Sequence, residues 1–167
     1  MKTDKGAPAP YGAARWLVIP VIAAHNFEEW LTFPSFHNEA AAKHLGLPFQ
    51  APSWLAMQIG FVLVTLAPAC IVVWASLGRQ RWWKDIAVCW VGGIFFANIF
   101  LPHIPAAIIV GGYSPGVLTA VLVNLPFFPF LFWRAVRDGY LTARQVLFAV
   151  LIGAASLPVS IVGVLAL

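Results

Sequence analysis

The sequence predicts an all-α, multi-pass transmembrane helical bundle with five spans. Three observations predict it. Hydrophobic residues make up 61% of the 167 and charged residues only 10%, with a mean hydropathy of +0.85, well outside the composition of soluble domains. A hydrocarbon core of about 30 Å needs roughly 20 apolar residues as a helix. Five segments reach that length: about 15–34, 53–77, 85–109, 115–134 and 143–166. The cations also sort by loop. Lys2, Lys5 and Arg15 precede the first span, Arg79, Arg81 and Lys84 lie between the second and third, and Arg134, Arg137 and Arg144 lie between the fourth and fifth. Only Lys43 falls on the opposite side. That asymmetry places the N-terminus in the cytoplasm and the C-terminus outside. Trp16, Trp74, Trp82, Trp83 and Trp133 cluster near the inner boundary, as an interfacial aromatic belt does.

Residues 1–14, with the stretch "KGAPAP", read as a disordered lead-in, and 15–167 as a single transmembrane domain. The first span runs "WLVIPVIAA" and then meets the polar stretch "AHNFEEWLTF", which weakens it as a crossing. A signal peptide cleaved after Ala24 is the rival reading; Pro20 in its core and Ile22 where a small residue is wanted argue against it. The second, fourth and fifth spans are clear. The third contains "FLPHIP", where Pro102 and Pro105 should kink or end the helix. "GGYSPG" opens the fourth: Gly111 and Gly112 supply flexibility, Ser114 an N-cap, and Pro115 suits a first helical turn. His37 and His44 lie in the outer loop, 35–52, and read as solvated. "RQRWWK", 79–84, reads as an inner loop against anionic headgroups. Cys70 and Cys89 fall inside apolar runs and read as buried small hydrophobes rather than a disulfide. The net charge of +4 forms no basic stripe, which argues against a nucleic-acid partner and leaves the lipid bilayer as the expected one.

The chemistry is expected in the polar stretch. On a helix, positions i, i+3, i+4 and i+7 share a face. His25, Glu28, Glu29 and Thr32 occupy those offsets, with Asn26 and Phe27 pointing elsewhere. An acidic side chain at mid-membrane costs about 2.5–3.5 kcal/mol on insertion scales and normally faces a partner in the bundle interior. No lysine or arginine lies within a predicted span, so an ion pair is not on offer. A bound cation, protonation or a water-filled cavity remains.

Depth brings further polar groups to the same layer. Glu28 and Glu29 lie roughly 20 Å above Arg15, and Asn98 about 21 Å above Lys84. Thr65 and Thr119 fall at about 21–22 Å, Ser156 near 18 Å and Asn124 near 15 Å above their own inner-side cations. Gln58 and His103 sit above this layer. One intramembrane pocket is therefore permitted. Thr65, Thr119, Ser156 and Ser160 read as packing residues, and Asn98 reads either as interhelical glue or as an orienting hydrogen-bond partner.

His25-Asn26-Phe27-Glu28-Glu29 matches an HXXEE signature. "NIFLPH" supplies a second histidine, His103, and "GGYSPG" supplies a YXPG motif through Tyr113, Pro115 and Gly116. With all three elements in order over residues 25–116, the chain resembles the HXXEE-motif family of bacterial and archaeal integral membrane proteins of unknown function. The resemblance implies a multi-pass protein of a bacterial or archaeal cell membrane and marks these residues as important. It implies no reaction.

The expected function is a membrane-embedded, metal-dependent enzyme acting on a lipid-soluble substrate. Its expected catalytic and metal-ligating residues are His25, Glu28, Glu29 and His103. Asn98, Tyr113, Thr32, Gln58 and Asn124 are expected to bind or orient substrate. Carboxylate with imidazole suits iron, manganese or zinc. Three alternatives remain open: a metal-free acid/base isomerase or cyclase on an isoprenoid-like substrate, a proton-coupled carrier, and a non-catalytic membrane subunit.

Overall fold

The computed structural model describes residues 10–36 and 53–165. His37, Lys43, His44 and the lead-in through residue 9 lie outside the described residues. The described chain is all helix with connecting turns. Helix α1 spans Pro10–Phe36 and α2 spans Trp54–Ser76. Helix α3 spans Trp82–Asn98, passes through a π-helical turn at Ile99–His103, and resumes as α4 over Ile104–Val110. The next crossing starts as the single turn α5, Val117–Thr119, passes through a second π-turn at Ala120–Asn124, and continues as α6 over Leu125–Arg137. Helix α7 spans Ala143–Leu165.

Four of these units are long and apolar enough to cross a membrane: Trp54–Ser76, Trp82–Val110, Val117–Arg137 and Ala143–Gly163. They follow the sequence expectations to within three residues at each end. Helix α1 stands outside that set, because Arg15, Glu28 and Glu29 interrupt its apolar run. It also begins at Pro10, five residues before the expected span. Proline suits a first helical position, and the new turn is held down by buried Tyr11, whose backbone N–H donates to Asp138 Oδ2 at 2.8 Å. The reason α1 is one continuous helix is visible in its spacing. Tyr11, Ala14, Val18, Ile22 and His25 recur every three or four residues, and all are buried against the other helices. Leu17, Phe27 and Leu31 point outward.

Small residues set the closest crossing, α3 on α7. A Cβ on Gly93 would lie 2.7 Å from the Val150 carbonyl oxygen, and one on Gly153 would strike the carbonyl of Trp90. Only glycine lets these backbones touch, the usual device for helices that gain nothing from burying apolar area against lipid. Trp90 Nε1–H donates to Ser156 at 3.1 Å across the same seam, so Ser156 serves this interface. The core below the site is aromatic: Phe95 and Phe128 stack at 6.3 Å and Phe132 stacks on Phe128 at 6.3 Å. Large apolar side chains, Leu63, Leu66, Ile108, Leu122, Phe148 and Val159 among them, are exposed around the outside. The bundle therefore presents hydrocarbon to lipid and buries its polar groups.

Two sequence expectations are corrected here. Cys89 is buried but Cys70 is exposed on the outer face of α2, and both thiols are free. A buried ion pair does exist: Arg15 lies inside α1, and its Nη1 meets Asp85 Oδ1 at 3.4 Å with both side chains largely buried. Gln80 joins it, accepting from Arg15 at 3.0 Å and donating to Asp85. The longer α1 brings Arg15 inward from the loop position assumed for it. This pair ties α1 to the start of α3, at the opposite end of α1 from the glutamates. Among the described residues neither glutamate pairs with lysine or arginine.

Candidate metal centre

The helix breaks bring the site together. The third crossing does not stop at its prolines. Leu101 leaves the helical region (φ −149°, ψ 108°), the Leu101–Pro102 peptide is cis, and the helix resumes at Ile104. The bend turns His103, 3% exposed, into the bundle. His25, one turn before the glutamates on α1, is fully buried. Its ring meets that of His103 edge to face with centroids 4.7 Å apart.

The tautomers follow from the partners. His103 Nδ1 lies 2.8 Å from the carbonyl oxygen of Pro115, which only accepts, so Nδ1 carries the proton. His25 Nδ1 lies 2.9 Å from Thr119 Oγ1. The single hydroxyl hydrogen of Thr119 goes to the carboxylate of Glu28, whose Oε2 at 2.5 Å is its nearest acceptor, so toward His25 the hydroxyl accepts. Both imidazoles thus hold their proton on Nδ1 and turn a bare Nε2 lone pair toward a common point. Glu29 Oε1 faces that point, 3.5 Å from His103 Nε2 and 4.0 Å from His25 Nε2. The ligand atoms of His25, Glu29 and His103 all fall within 4.8 Å of one another. Two imidazoles oriented by oxygen acceptors, plus one carboxylate, form a donor set suited to zinc, iron or manganese. Asn98, at the end of α3, reaches the same point. Its amide Nδ2 lies 2.8 Å from His103 Nε2 and 3.2 Å from His25 Nε2, donating one hydrogen to each.

Glu28 turns to a different task. Oε1 accepts from Tyr113 Oη at 2.5 Å and from the Leu118 N–H at 3.1 Å; Oε2 accepts from the Thr119 N–H at 2.7 Å and from the Thr119 hydroxyl. It satisfies the free N–H groups at the start of the fourth crossing, where a carboxylate is favoured. Thr32 bonds back to the Glu28 carbonyl at 2.7 Å and lies 3.4 Å from Tyr113 Oη. Partial burial and the bond to Glu28 raise the Tyr113 phenol above its ordinary pKa.

The YXPG segment is a clamp around His103. Ser114 donates to the His103 carbonyl at 3.2 Å, Pro115 offers its own carbonyl to Nδ1, and Gly116 adopts φ +78°. The residue in the N-cap position is Gly116, not Ser114, and the helix starts two residues after Pro115. The hydroxyl expected to cap is spent on the histidine loop instead.

Of the nine sequence-predicted site residues, His25, Glu29, His103 and Asn98 meet at one point. Glu28, Thr32 and Tyr113 form the adjoining anchor. Gln58 makes no side-chain hydrogen bond with any of them among the described residues. Asn124, at the end of the second π-turn, is fully buried with both amide atoms unpartnered among the described residues. It lies one turn before Phe128, as Asn98 lies about one turn after Phe95, and those rings stack. Sequence reasoning missed Thr119, which it took for packing, and the Pro115 carbonyl, which no side-chain pattern reveals. It also passed over Asn26, whose amide donates to Thr65 at 2.7 Å and locks α1 to α2.

No curated protein and no solved structure matches the chain. The family described as "protein of unknown function with HXXEE motif" matches residues 16–131, which span both histidines, both glutamates and the clamp. The chain belongs to the HXXEE-motif family, and the motif's histidine and second glutamate, with the distal histidine, form its metal-compatible cluster.

Proposed function

We propose that the protein is a membrane-embedded enzyme that holds a divalent transition metal on His25, Glu29 and His103 and acts on a lipid-soluble substrate. One observation carries the reading. Two unprotonated imidazole nitrogens, bridged by the Asn98 amide, converge with a carboxylate oxygen, and the Glu29 carboxylate accepts no hydrogen bond from any described residue. Like lone pairs facing one another at this range favour a cation between them. A metal there would polarise a substrate oxygen or activate water. Glu28 keeps its anchoring role and contributes no ligand. Glu29 is 17% exposed while the two histidines are almost sealed, so reactants would approach past Glu29. Phe27, Leu31 and Leu118 line the outside nearby, which suits an apolar substrate arriving from the bilayer.

In this reading α1 is a fifth span, packed along its length by its buried face, with the N-terminus in the cytoplasm. The cation asymmetry and the exposed Trp16, Trp74, Trp82, Trp83 and Trp133 support that orientation.

A metal-free acid/base enzyme is the second reading, favoured by the Asn98 amide, which by itself satisfies both Nε2 atoms. In that case Glu29 would exchange a proton with the substrate. Metal analysis of detergent-purified protein separates the two. Stoichiometric zinc, iron or manganese, lost in Glu29→Gln and in His103→Ala while helicity is kept, supports the metal enzyme. A protein that binds none of the three, even after incubation with each, overturns it in favour of the second reading.

A further inference from the structure

The placement of Asn98 carries the metal reading one step further. Its terminal amide atom sits 2.8 and 3.2 Å from the two Nε2 atoms. Two ligands on one ion, each bonded at about 2.1 Å, stand roughly 3.0–3.4 Å apart. Asn98 therefore ends close to ligand-to-ligand spacing from both histidines. An amide has two faces for this position. Its NH2 has two hydrogens, which here satisfy two bare nitrogens. Its carbonyl oxygen is a neutral metal ligand. Asn98 Oδ1 accepts no hydrogen bond from a described residue, so a half-turn of the amide gives up only the two bonds to the imidazoles. Those are the bonds a metal would displace in any case.

We propose that Asn98 is a two-position latch and the fourth ligand of the site. With its NH2 inward it closes the metal-free site; with Oδ1 inward it completes an N2O2 set with His25, His103 and Glu29. Two imidazoles and two oxygens favour a borderline divalent ion, Zn2+, Fe2+ or Co2+, over Ca2+ or Mg2+. The latch also explains how two unprotonated imidazole nitrogens are tolerated inside an apolar bundle before metal arrives. It rests on the metal assignment above.

The test is a Co2+ and Zn2+ titration of the metal-stripped, detergent-purified full chain. Affinity and the visible Co2+ bands, which report coordination, are both read. Asn98→Leu can neither cap nor ligate, and Asn98→Asp can ligate but has no hydrogens to cap with. If Asn98 is a ligand, Asn98→Leu binds about tenfold or more weakly with altered Co2+ bands. Asn98→Asp then binds at least as tightly as wild type. If Asn98 only caps, Asn98→Leu removes a competitor, so its affinity rises and the bands stay as in wild type; that overturns the latch and leaves the metal site standing. Should Asn98→Leu fail to fold, Asn98→Asp decides alone: weaker binding than wild type overturns the proposal. No Co2+ or Zn2+ binding by wild type overturns the metal assignment itself.

Discussion

Gly116 and His103 touch with no room for a methyl group between them. A Cβ on Gly116 would lie 2.5 Å from His103 Cε1 and 2.9 Å from Glu29 Cγ. Its φ of +78° is in addition a conformation that other residues adopt only under strain. The last residue of the YXPG motif is thus a spacing requirement of the cluster. The glycine lets the start of the fourth crossing lie against the imidazole that its neighbour's carbonyl orients.

Gly116→Ala is therefore expected to push the His103 ring off its position. The backbone conformation alone costs about 1–3 kcal/mol, and metal binding should fall at the same time. Thermal unfolding of the purified protein, read together with its metal content, checks this. Gly111→Ala is the control. It has a similar φ of +68° but nothing within 4 Å of its Cβ, so it should lower stability while leaving metal content unchanged.

Thr119 joins the two halves of the HXXEE motif, accepting from His25 Nδ1 and donating to Glu28. Thr119→Val keeps the shape but loses both bonds and leaves the imidazole N–H without an acceptor. The expected loss is about 1–3 kcal/mol of stability and roughly 10–100-fold in metal affinity. Thr119→Ser should restore most of both. A valine variant with wild-type metal affinity would show that His25 does not depend on Thr119 for its orientation.

The residues that sequence made legible are those whose chemistry is costly where they stand. Glutamates and a histidine in an apolar run demand compensation, so His25 and Glu29 could be named from position; His103, placed above their layer by depth, entered only through the motif resemblance. Depth along the spans put Asn98 in the layer of the glutamates, and its amide lies against both imidazoles. What stayed hidden was rotation about the helix axis. Glu28 and Glu29 are neighbours, and spacing alone gives them one stripe, yet one faces the histidines and the other the start of the fourth crossing. Backbone acceptors were invisible for a different reason. The carbonyl of Pro115 reaches His103 only because the break at Leu101 and the turn at Gly116 aim the two segments together. Arg15 looked like a loop charge because the extra turns of α1 before it could not be inferred from hydropathy.

Tyr113 and Glu28 make a pH-dependent clasp at the mouth of the site. The phenol's pKa is raised by partial burial and by its bond to the carboxylate. A raised acid is stabilised in its neutral form, so its contribution is complete below the ordinary tyrosine value of about 10. It is lost as pH climbs through the raised folded value. Wild type should therefore melt above Tyr113→Phe at neutral pH, and the two should converge in strong alkali. A constant gap across that range would mean that the phenol proton contributes nothing to the clasp.

The ion pair between Arg15 and Asp85 is a test of how α1 is held. Asp85 is 1% exposed and Arg15 is 8% exposed, with Gln80 bridging them. Burying both charges is expensive, so the intact pair adds little net stability. Removing one partner leaves the other charge unpaired, at a cost of about 3–5 kcal/mol. Asp85→Leu alone should therefore destabilise strongly, and adding Arg15→Met should recover most of the loss, because an apolar pair of similar volume needs no compensation. The recovery, read as a coupling energy from a double-mutant cycle in detergent, should exceed about 2 kcal/mol. The site lies at the far end of α1 from this pair. Metal content in the double variant should accordingly match wild type, provided that the buried face from Tyr11 to His25 is enough to hold α1 in register. If metal is lost while stability is recovered, the charges act instead as a register pin that sets where His25 and Glu29 stand.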